Sequence, residues 1–178
     1  MRALRSTPRP CRVVLVRHGP AEPRDPARWP DDRDRPLSRS GLRETRRAAR
    51  GLAALVGPVG RLASGTAERT RRTADLLAAA LPRNARRAIW DELEPGRPAA
   101  PVLERIRRTA RTSSALLLVG HDPALSELLG LALVGEGVPF ARLAKAGAAC
   151  VEFPRDVRPG AGRLAWLLTR AQLTAVGS

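Results

Sequence analysis

Short apolar runs alternate with longer amphipathic stretches along this chain. Residues 12–16, RVVLV, form a mostly β-branched apolar run, and residues 115–119, ALLLV, form the clearest one. Continuous apolar runs of this length predict strands that are buried on both faces of a sheet. Weaker patterns of the same kind predict four further strands, over residues 61–64, 86–90, 148–153 and 163–169.

Amphipathic stretches between these runs predict four helices. The first begins near residue 38, where Ser38 or Ser40 can cap it, and ends at Gly57-Pro58. Its predicted inward face shares one helical stripe, formed by Gly41, Thr45, Ala48, Ala49, Leu52, Leu55 and Val56. The other three helices are predicted over residues 67–81, over residues 101–111, and after Asp122-Pro123, with Asp122 as the cap.

Alternating strands and helices predict an α/β fold, a three-layer α/β/α sandwich around a mainly parallel sheet. Residues 1–11 are expected to form a loose N-terminal tail, and residues 12–178 a single domain. Residues 19–36, rich in Pro, Asp and Arg, form a polar connection longer than most, which indicates a functional loop.

The chain is strongly basic, with a net charge of +15 carried almost entirely by arginine; Lys145 is the single lysine. The arginines are scattered, no RNA-binding module is evident, and only five aromatic residues could stack on bases. A genome rich in G and C therefore accounts for the charge better than a specific nucleic acid partner. Scattered positive charge would still steer an anionic substrate toward the protein.

The cysteines, the N-terminal segment and the lengths of the apolar runs give little evidence about function. Cys11 and Cys150 are far apart and lie in or beside apolar runs, so we expect two buried free thiols. The N-terminus is basic but has no apolar core of a secretory signal, and no apolar run reaches the ~18 residues of a membrane span. These observations predict a cytoplasmic protein.

Polar residues follow the ends of the predicted strands. Arg17 and His18 end the first strand, Ser64 ends the second just before Arg69, Glu92 follows the third, and His121 follows the fourth. In open α/β sheets, ligands bind beyond the carboxyl ends of the strands, where these side chains would converge. The chain holds only these two histidines, and both occupy the same structural position.

This convergence predicts an anion pocket that contains a nucleophile. Arginine guanidinium groups match phosphate oxygens, and the helix predicted after His121 presents free backbone N–H groups. Gly19 lets the chain turn sharply and a ligand approach closely. Two histidines without a nearby cysteine or group of carboxylates provide too few ligands for a metal ion, so we expect no metal site.

These residues resemble the histidine phosphatase superfamily, which includes the phosphoglycerate mutases. LVRHG (15–19) matches its first motif, AERTRRTADLL (67–77) is similar to its second arginine motif, with Arg69 and Thr73 in matching positions, and LLLVGHDPAL (116–125) matches its second histidine motif. DRPLSRSGLRET (34–45) and ELEPG (92–96) are similar to stretches of the short SixA-like phosphohistidine phosphatase branch.

The resemblance implies a phosphoglycerate mutase-like fold and a phosphoryl group carried on His18, with no metal or other cofactor. It implies phosphate binding by Arg17, Arg69 and His121, with Gly19 beside them. Glu92, four residues before Gly96, has the spacing of the mutase proton donor, and Glu22 and Glu94 are competitors for that role.

Two further positions are assigned to the pocket by the same resemblance. Gly65-Thr66 replace the family's Ser-Pro pair and Arg72 its usual Gln, which leaves Ser64 as a shifted stand-in for the serine. Arg35 lies in the stretch that opens the first helix, and we expect it to line the pocket.

The expected function is a phosphatase that acts on protein phosphohistidine, since a labile P–N bond needs little help from an acid. A phosphomonoesterase acting on a small phosphate ester is the alternative, with loop 20–36 and Trp29 closing over the substrate. Mutase activity is less expected because it requires a closed pocket. From another class, a non-catalytic phosphate- or nucleic-acid-binding protein is the competing hypothesis.

Overall fold

The computed structural model describes residues 10–82, 85–154 and 156–177. Six strands form one sheet: β1 (Cys11–Arg17), β2 (Arg61–Ser64), β3 (Arg86–Ile89), β4 (Ala115–Gly120), β5 (Ala148–Phe153) and β6 (Arg163–Leu168). Five helices accompany them: α1 (Arg39–Val56), α2 (Glu68–Ala80), α3 (Ala99–Thr109), α4 (Ala124–Val134) and α5 (Arg170–Val176). Of the predicted N-terminal tail, residues 1–9 lie outside the described residues, and β1 already begins at Cys11.

The strand order across the sheet is β3-β2-β4-β1-β5-β6. The four strands β3, β2, β4 and β1 run parallel, and β5 and β6 run antiparallel to their neighbours. Because β1 pairs directly with β4, the carboxyl ends of these two strands lie side by side. The predicted α/β sandwich with a mainly parallel sheet is confirmed.

Apolar side chains cover both faces of the central strands. On one face, Val13 and Leu15 of β1 pack in a core with α3 and α4. On the other face, Val14 and Val16 pack in a second core with α1, α2 and α5. A strand buried on both faces needs an uninterrupted apolar run, which explains the pattern of residues 12–16.

Helix α1 follows its predicted amphipathic pattern closely. Ser38 caps it, because Oγ of Ser38 accepts a 2.9 Å hydrogen bond from the backbone N–H of Gly41. The inward face is buried as predicted except at Leu55, which is 38% exposed. That part of the prediction was wrong because Leu55 lies at the margin of the stripe, one residue before the last residue of the helix, Val56.

The predicted cap of α4 by Asp122 was also wrong. The helix begins at Ala124 after Pro123, and no side chain caps it. The carboxylate of Asp122 instead accepts a hydrogen bond from the Ser126 hydroxyl and lies 3.9 Å from Nη1 of Arg17. The Asp122 side chain therefore contacts Ser126 of α4 and Arg17 of the candidate site, and it does not cap the backbone of the helix.

Helix α5 was missing from the sequence-based prediction. Thr169 and Gln172 form a reciprocal capping box at its start, in which each side chain accepts from the other residue's backbone N–H. The helix packs against α1, where the backbone carbonyl of Leu173 fills the space that a Cβ at Gly51 would need. Within the described residues, no helix has the length and hydropathy needed to span a membrane.

Both cysteines are buried and free, as predicted. Burial raises the pKa of the Cys11 and Cys150 thiols to about 11, so both stay protonated and unreactive near neutral pH.

Candidate active site

The two histidines lie together at the carboxyl edge of the sheet. Arg17 of β1 is in register with Gly120 of β4, so the residues that follow them, His18 and His121, are neighbours. Their ring centroids are 4.9 Å apart, with an angle of 58° between the ring planes. The backbone N–H of His18 donates to the Gly120 carbonyl at 3.0 Å, which fixes one strand end against the other.

A backbone carbonyl determines the tautomer of His18. Nδ1 of this ring lies 2.7 Å from the carbonyl oxygen of Gly19, which accepts but cannot donate. Nδ1 must therefore carry the proton, and Nε2 is left with a free lone pair. Burial, followed by the influence of His121, lowers the pKa of His18 to about 3, so the ring is neutral at physiological pH.

His121 is buried as well, and its Nε2 has no hydrogen-bond partner within the described residues. Burial, followed by the nearby positive charge of Arg69, lowers the pKa of His121 to about 4. A buried nitrogen without a partner is costly in a folded protein unless a ligand satisfies it. This nitrogen is therefore a ready contact for a bound group.

Two groups of the protein hold the guanidinium of Arg17 in place. Its Nη1 donates to the Leu143 carbonyl at 2.8 Å and lies 3.9 Å from the Asp122 carboxylate. Its Nε is buried and unpartnered among the described residues. The guanidinium is thus oriented by two groups while one N–H remains free to donate.

Arg69 is oriented in the same way by the long loop. Nη1 donates to the Asp32 carbonyl at 2.6 Å, and Nη2 contacts the Asp32 carboxylate at 2.9 Å. Its Nε, like that of Arg17, is buried without a partner in the described chain. Burial lowers the pKa of Arg69 and Asp32 opposes the shift, but a guanidinium stays protonated in proteins.

Three buried, unpartnered nitrogens therefore belong to the predicted phosphate-binding residues. They are Nε of Arg17, Nε of Arg69 and Nε2 of His121. Their residues surround His18 closely enough for each to lower its pKa or, in the case of His121, to contact its ring. The arrangement can bind a tetrahedral oxyanion next to an unprotonated imidazole nitrogen.

Gly19 is required by space and not by an unusual backbone angle. Its φ angle is not positive, in contrast to that of four other glycines in the described residues. A Cβ at this position would collide with Oγ1 of Thr45, a buried hydroxyl with no hydrogen-bond partner in the described residues. Thr45 therefore leaves no room for a side chain at position 19. The sharp turn and the close approach of a ligand at Gly19 stay predictions.

Backbone hydrogen bonds join the two ends of the long loop. Ala21 and Leu37 form an isolated antiparallel bridge, and the Ser38 N–H donates to the Pro20 carbonyl at 3.1 Å. Arg35 is half-buried inside the loop, where it contacts the Asp32 carboxylate at 2.8 Å and the Glu22 carbonyl at 2.8 Å. Arg35 therefore reaches the site through Asp32.

Asp32 is the site residue that sequence reasoning missed. Its carboxylate joins Arg35 to Arg69, and both arginines, Arg35 first, hold its pKa below the usual range. Four aspartates lie in residues 25–34, and nothing in their spacing distinguishes this one. The contact comes from how the loop folds back on α2, which local sequence does not encode.

Two of the predicted acid candidates, Glu92 and Glu94, have partners other than the two histidines. Glu92 forms a 2.5 Å ion pair with Arg105 of α3 and lines a cavity of about 300 Å³ with Asp91, Arg97, Pro98 and Pro101. Glu94 accepts from the backbone N–H groups of Thr66 and Ala67 at the start of α2. Glu22 contributes its backbone to the loop. The role of Glu92 as proton donor stays a prediction.

Ser64 is buried at the end of β2, and its place in the pocket stays a prediction. Glu94 occupies the space beside the next residue, because a Cβ at Gly65 would meet its carboxylate oxygen. No group of three or more His, Cys, Asp or Glu side chains suited to a metal ion occurs among the described residues.

Comparison with known proteins gives one family match. Residues 13–97 match the family model described as histidine phosphatase superfamily (branch 1). This stretch, which contains Arg17, His18 and Arg69, is therefore similar to that superfamily. No curated protein sequence matches the chain significantly.

Solved structures show the same fold over nearly the whole chain. The protein histidine phosphatase SixA complexed with tungstate superposes with a TM-score of 0.79 at 22% identity, covering 91% of this chain and 99% of that one. A proposed phosphohistidine phosphatase SixA from Agrobacterium tumefaciens gives a TM-score of 0.74 at 25% identity, covering 90% and 98%. A mycobacterial glucosyl-3-phosphoglycerate phosphatase gives 0.67 at 16% identity, covering 90% and 100%. Family and neighbours together support a phosphatase, which is a hydrolase.

Proposed function

We propose that this phosphatase hydrolyses protein phosphohistidine through a phosphoryl intermediate on Nε2 of His18. The observation that carries the proposal is the 2.7 Å contact between Nδ1 of His18 and the Gly19 carbonyl. It places the ring proton on Nδ1 and leaves Nε2 with its lone pair, without any side-chain base. The low pKa of His18, about 3, keeps that lone pair available throughout the physiological range.

The three unpartnered nitrogens account for how the phosphoryl group is bound. In phosphoryl transfer, charge spreads over the equatorial oxygens in the transition state, and preorganised donors stabilise it. Nε of Arg17, Nε of Arg69 and Nε2 of His121, when that nitrogen carries the ring proton, are such donors. Each is held on a side chain whose other atoms are fixed or buried, so little reorganisation is needed on binding.

The chemistry proceeds in two displacements at phosphorus. The Nε2 lone pair of His18 forms a P–N bond while the bond to the leaving group breaks and its electron pair departs with that group. The leaving imidazole of a phosphohistidine takes up a proton on nitrogen and leaves neutral. Water then attacks phospho-His18, its proton passes to solvent, the P–N electron pair returns to Nε2, and inorganic phosphate is released.

The proton balance favours phosphohistidine over an alkyl phosphate. Within the described residues, neither His18 nor His121 has a hydrogen bond to a carboxylate, and Glu92 as the acid for the leaving group stays a prediction. An alkoxide leaving group needs such an acid, whereas an imidazole can be protonated before it leaves. Two solved structures that share this fold are a protein histidine phosphatase SixA and a proposed phosphohistidine phosphatase SixA, which agrees with this choice.

A small phosphate ester is the second candidate substrate. The fold is shared with a phosphatase named for glucosyl-3-phosphoglycerate, at 16% identity. In this chain, the loop between Pro20 and Leu37 carries a half-buried Trp29 beneath the Arg28 guanidinium, 4.6 Å from the ring centroid. A small ester beneath this loop would reach the same His18.

The first experiment follows phosphate release from p-nitrophenyl phosphate and from a phosphohistidine peptide in EDTA, with His18→Ala alongside. We expect metal-independent release from both, absent in the variant, and a higher kcat/KM for the peptide. A preference for small esters would favour the second candidate. With no release from either, failure to trap acid-labile phosphate on His18 would favour a binding protein without turnover.

A further inference from the structure

Helix α1 carries an unusual concentration of positive charge. Its five arginines are all exposed, and at 100° per residue they fall within an arc of about 100°, opposite the buried face. We call this set the α1 stripe; its members are Arg39, Arg43, Arg46, Arg47 and Arg50. At 1.5 Å per residue it extends about 16 Å along the helix.

The α1 stripe differs from the arginines on the other helices. On α2, Arg71 pairs with Glu68 at 2.9 Å, and on α3 both Arg107 and Arg108 pair with Glu104. The single acid of α1, Glu44, pairs with Arg170 at 2.8 Å instead. Among the described residues, no member of the stripe has an ion pair or a side-chain hydrogen bond. Base composition explains many arginines but not this local lack of neutralising acids.

The unneutralised charge is also unfavourable for the helix itself. Like charges spaced three or four residues apart repel one another. Arg39 and Arg43 lie in the first turns, where the positive end of the helix dipole favours acids, and the first turn contains none. An anionic partner laid along the stripe would relieve both effects.

The α1 stripe begins at the active-site edge of the sheet. The cap of the helix, Ser38, donates its N–H to the carbonyl of Pro20, two residues after His18. Positive charge continues beside the candidate site. The pKa of Asp32 is lowered mainly by its hydrogen bond to Arg35 and also by the exposed Arg24. The pKa of Arg17 is lowered mainly by burial and also by the exposed Arg142. A macromolecule that contacts the stripe would therefore also reach the pocket.

We propose that the α1 stripe is the docking surface for an acidic face of the phosphorylated protein whose phosphohistidine enters the pocket. This proposal rests on the proposed function and adds the chemistry of the partner: several carboxylates spaced over about 16 Å, on one side of the phosphorylated residue. Complementary charge of this kind increases association rate and selectivity.

The helix is less suited to the other polyanions. It contains no aromatic residue, so it offers no stacking platform for single-stranded nucleic acid. Its apolar face is packed against the second core, so it cannot enter a membrane in the way that amphipathic surface helices do. An acidic protein surface needs only the charges that are present.

The test compares two charge-reversal variants of equal net charge. The stripe variant is Arg43→Glu, Arg47→Glu, Arg50→Glu. The control variant is Arg86→Glu, Arg111→Glu, Arg158→Glu, three exposed arginines with no side-chain partner in the described chain. They lie at the start of β3, before β4 and in the β5–β6 turn, which is the edge opposite the site. Circular dichroism checks that both variants are folded.

The probes are two helical phosphohistidine peptides, one with a face of five glutamates and one with glutamines in their place. For the wild type and the control variant at low salt, we expect kcat/KM to favour the glutamate peptide about tenfold, through KM. In the stripe variant the preference should fall to about one, while p-nitrophenyl phosphate turnover stays unchanged. Equal use of both peptides by the wild type, or equal loss of preference in both variants, would overturn the proposal.

Direct binding separates this proposal from the proposed function. Absence of phosphohistidine hydrolysis, with p-nitrophenyl phosphate still cleaved, would refute the phosphohistidine substrate, and with it the assignment of the partner as a phosphohistidine protein. Fluorescence anisotropy of the unphosphorylated glutamate peptide then tests the surface alone, and stripe-dependent binding would support an acidic protein partner. A labelled oligonucleotide or phosphatidylserine vesicles that bind the stripe more tightly would overturn the choice of a protein.

Discussion

The backbone N–H of Gly19 donates a 3.0 Å hydrogen bond to Oγ1 of Thr73. The same hydroxyl donates to the Arg69 carbonyl at 2.7 Å, so one threonine joins the segment after His18 to the helix that carries Arg69. Since the Gly19 carbonyl orients the His18 ring, Thr73 links the proposed nucleophile to an arginine that we propose binds phosphate. We therefore propose that Thr73, fully buried in α2, is a positioning residue.

Replacing Thr73 with Val should lower kcat by about 10- to 100-fold with a smaller change in KM, because a buried Gly19 N–H loses its acceptor. Thr73→Ser keeps the hydroxyl and should restore most of kcat, although it leaves a small cavity. Steady-state kinetics on p-nitrophenyl phosphate measure both. Equal losses in the Ser and Val variants would show that the methyl group matters and the hydrogen bonds do not.

The two histidines should stay neutral well below their ordinary pKa. Burial lowers the pKa of His18 to about 3 and that of His121 to about 4, from a reference of 6.5. We expect both imidazole Cε1–H signals in proton NMR to keep their chemical shifts between pH 8 and about pH 5. The chain has only these two histidines, so the spectrum is easily assigned with His121→Asn. A midpoint near 6.5 for either signal would contradict the buried, neutral site.

The same shifts make stability depend on pH. The unfolded chain protonates its histidines as pH falls through 6.5, whereas the folded chain does not until about pH 4 for His121 and about pH 3 for His18. The free energy of unfolding should therefore decrease on acidification from pH 6.5 to about 4, by up to roughly 1.4 kcal/mol per pH unit for each histidine. Urea denaturation at several pH values measures it, and His121→Asn should reduce the slope. An unchanged slope in that variant would contradict a contribution from His121.

Asp32 places a negative charge beside Arg69, one of the two arginines that we propose bind phosphate. Its low pKa means that it stays ionised and cannot serve as a proton donor near neutral pH. Asp32→Asn keeps an oxygen acceptor for Arg69 and removes the charge, so inhibition by inorganic phosphate should strengthen by about three- to tenfold. Asp34→Asn, in the same loop, is the control and should have little effect. Weaker phosphate binding in Asp32→Asn would mean that orienting Arg69 is its greater contribution.

Glu92 can be tested by its neutral isostere. Because Glu92 is paired with Arg105, we expect Glu92→Gln to change kcat for phenyl phosphate by no more than about twofold. Phenyl phosphate has a poorer leaving group than p-nitrophenyl phosphate and therefore depends more on an acid. A large loss confined to phenyl phosphate would identify Glu92 as the proton donor after all.

Much of this fold follows from local sequence, because its central strands are buried on both faces and its long helices are clearly amphipathic. The convergence of His18 and His121 was predictable, since both follow parallel strands at the same edge of the sheet. Helix α5 was missed although Thr169-x-x-Gln172 is a capping box, because its seven residues carry little periodicity. The contacts of Asp32 and Thr73 depend on how distant segments meet, which no local pattern records.

The strand order has a consequence for synthesis. β1 lies between β4 and β5, so both neighbours of the strand that carries His18 come from residues 115–153. His18, the proposed nucleophile, is made early, but both strands that flank β1 follow only after most of the 178 residues have been made. Chains released early contain His18 and Arg69 without His121 or the flanking strands, so we expect them to lack the proposed phosphatase activity.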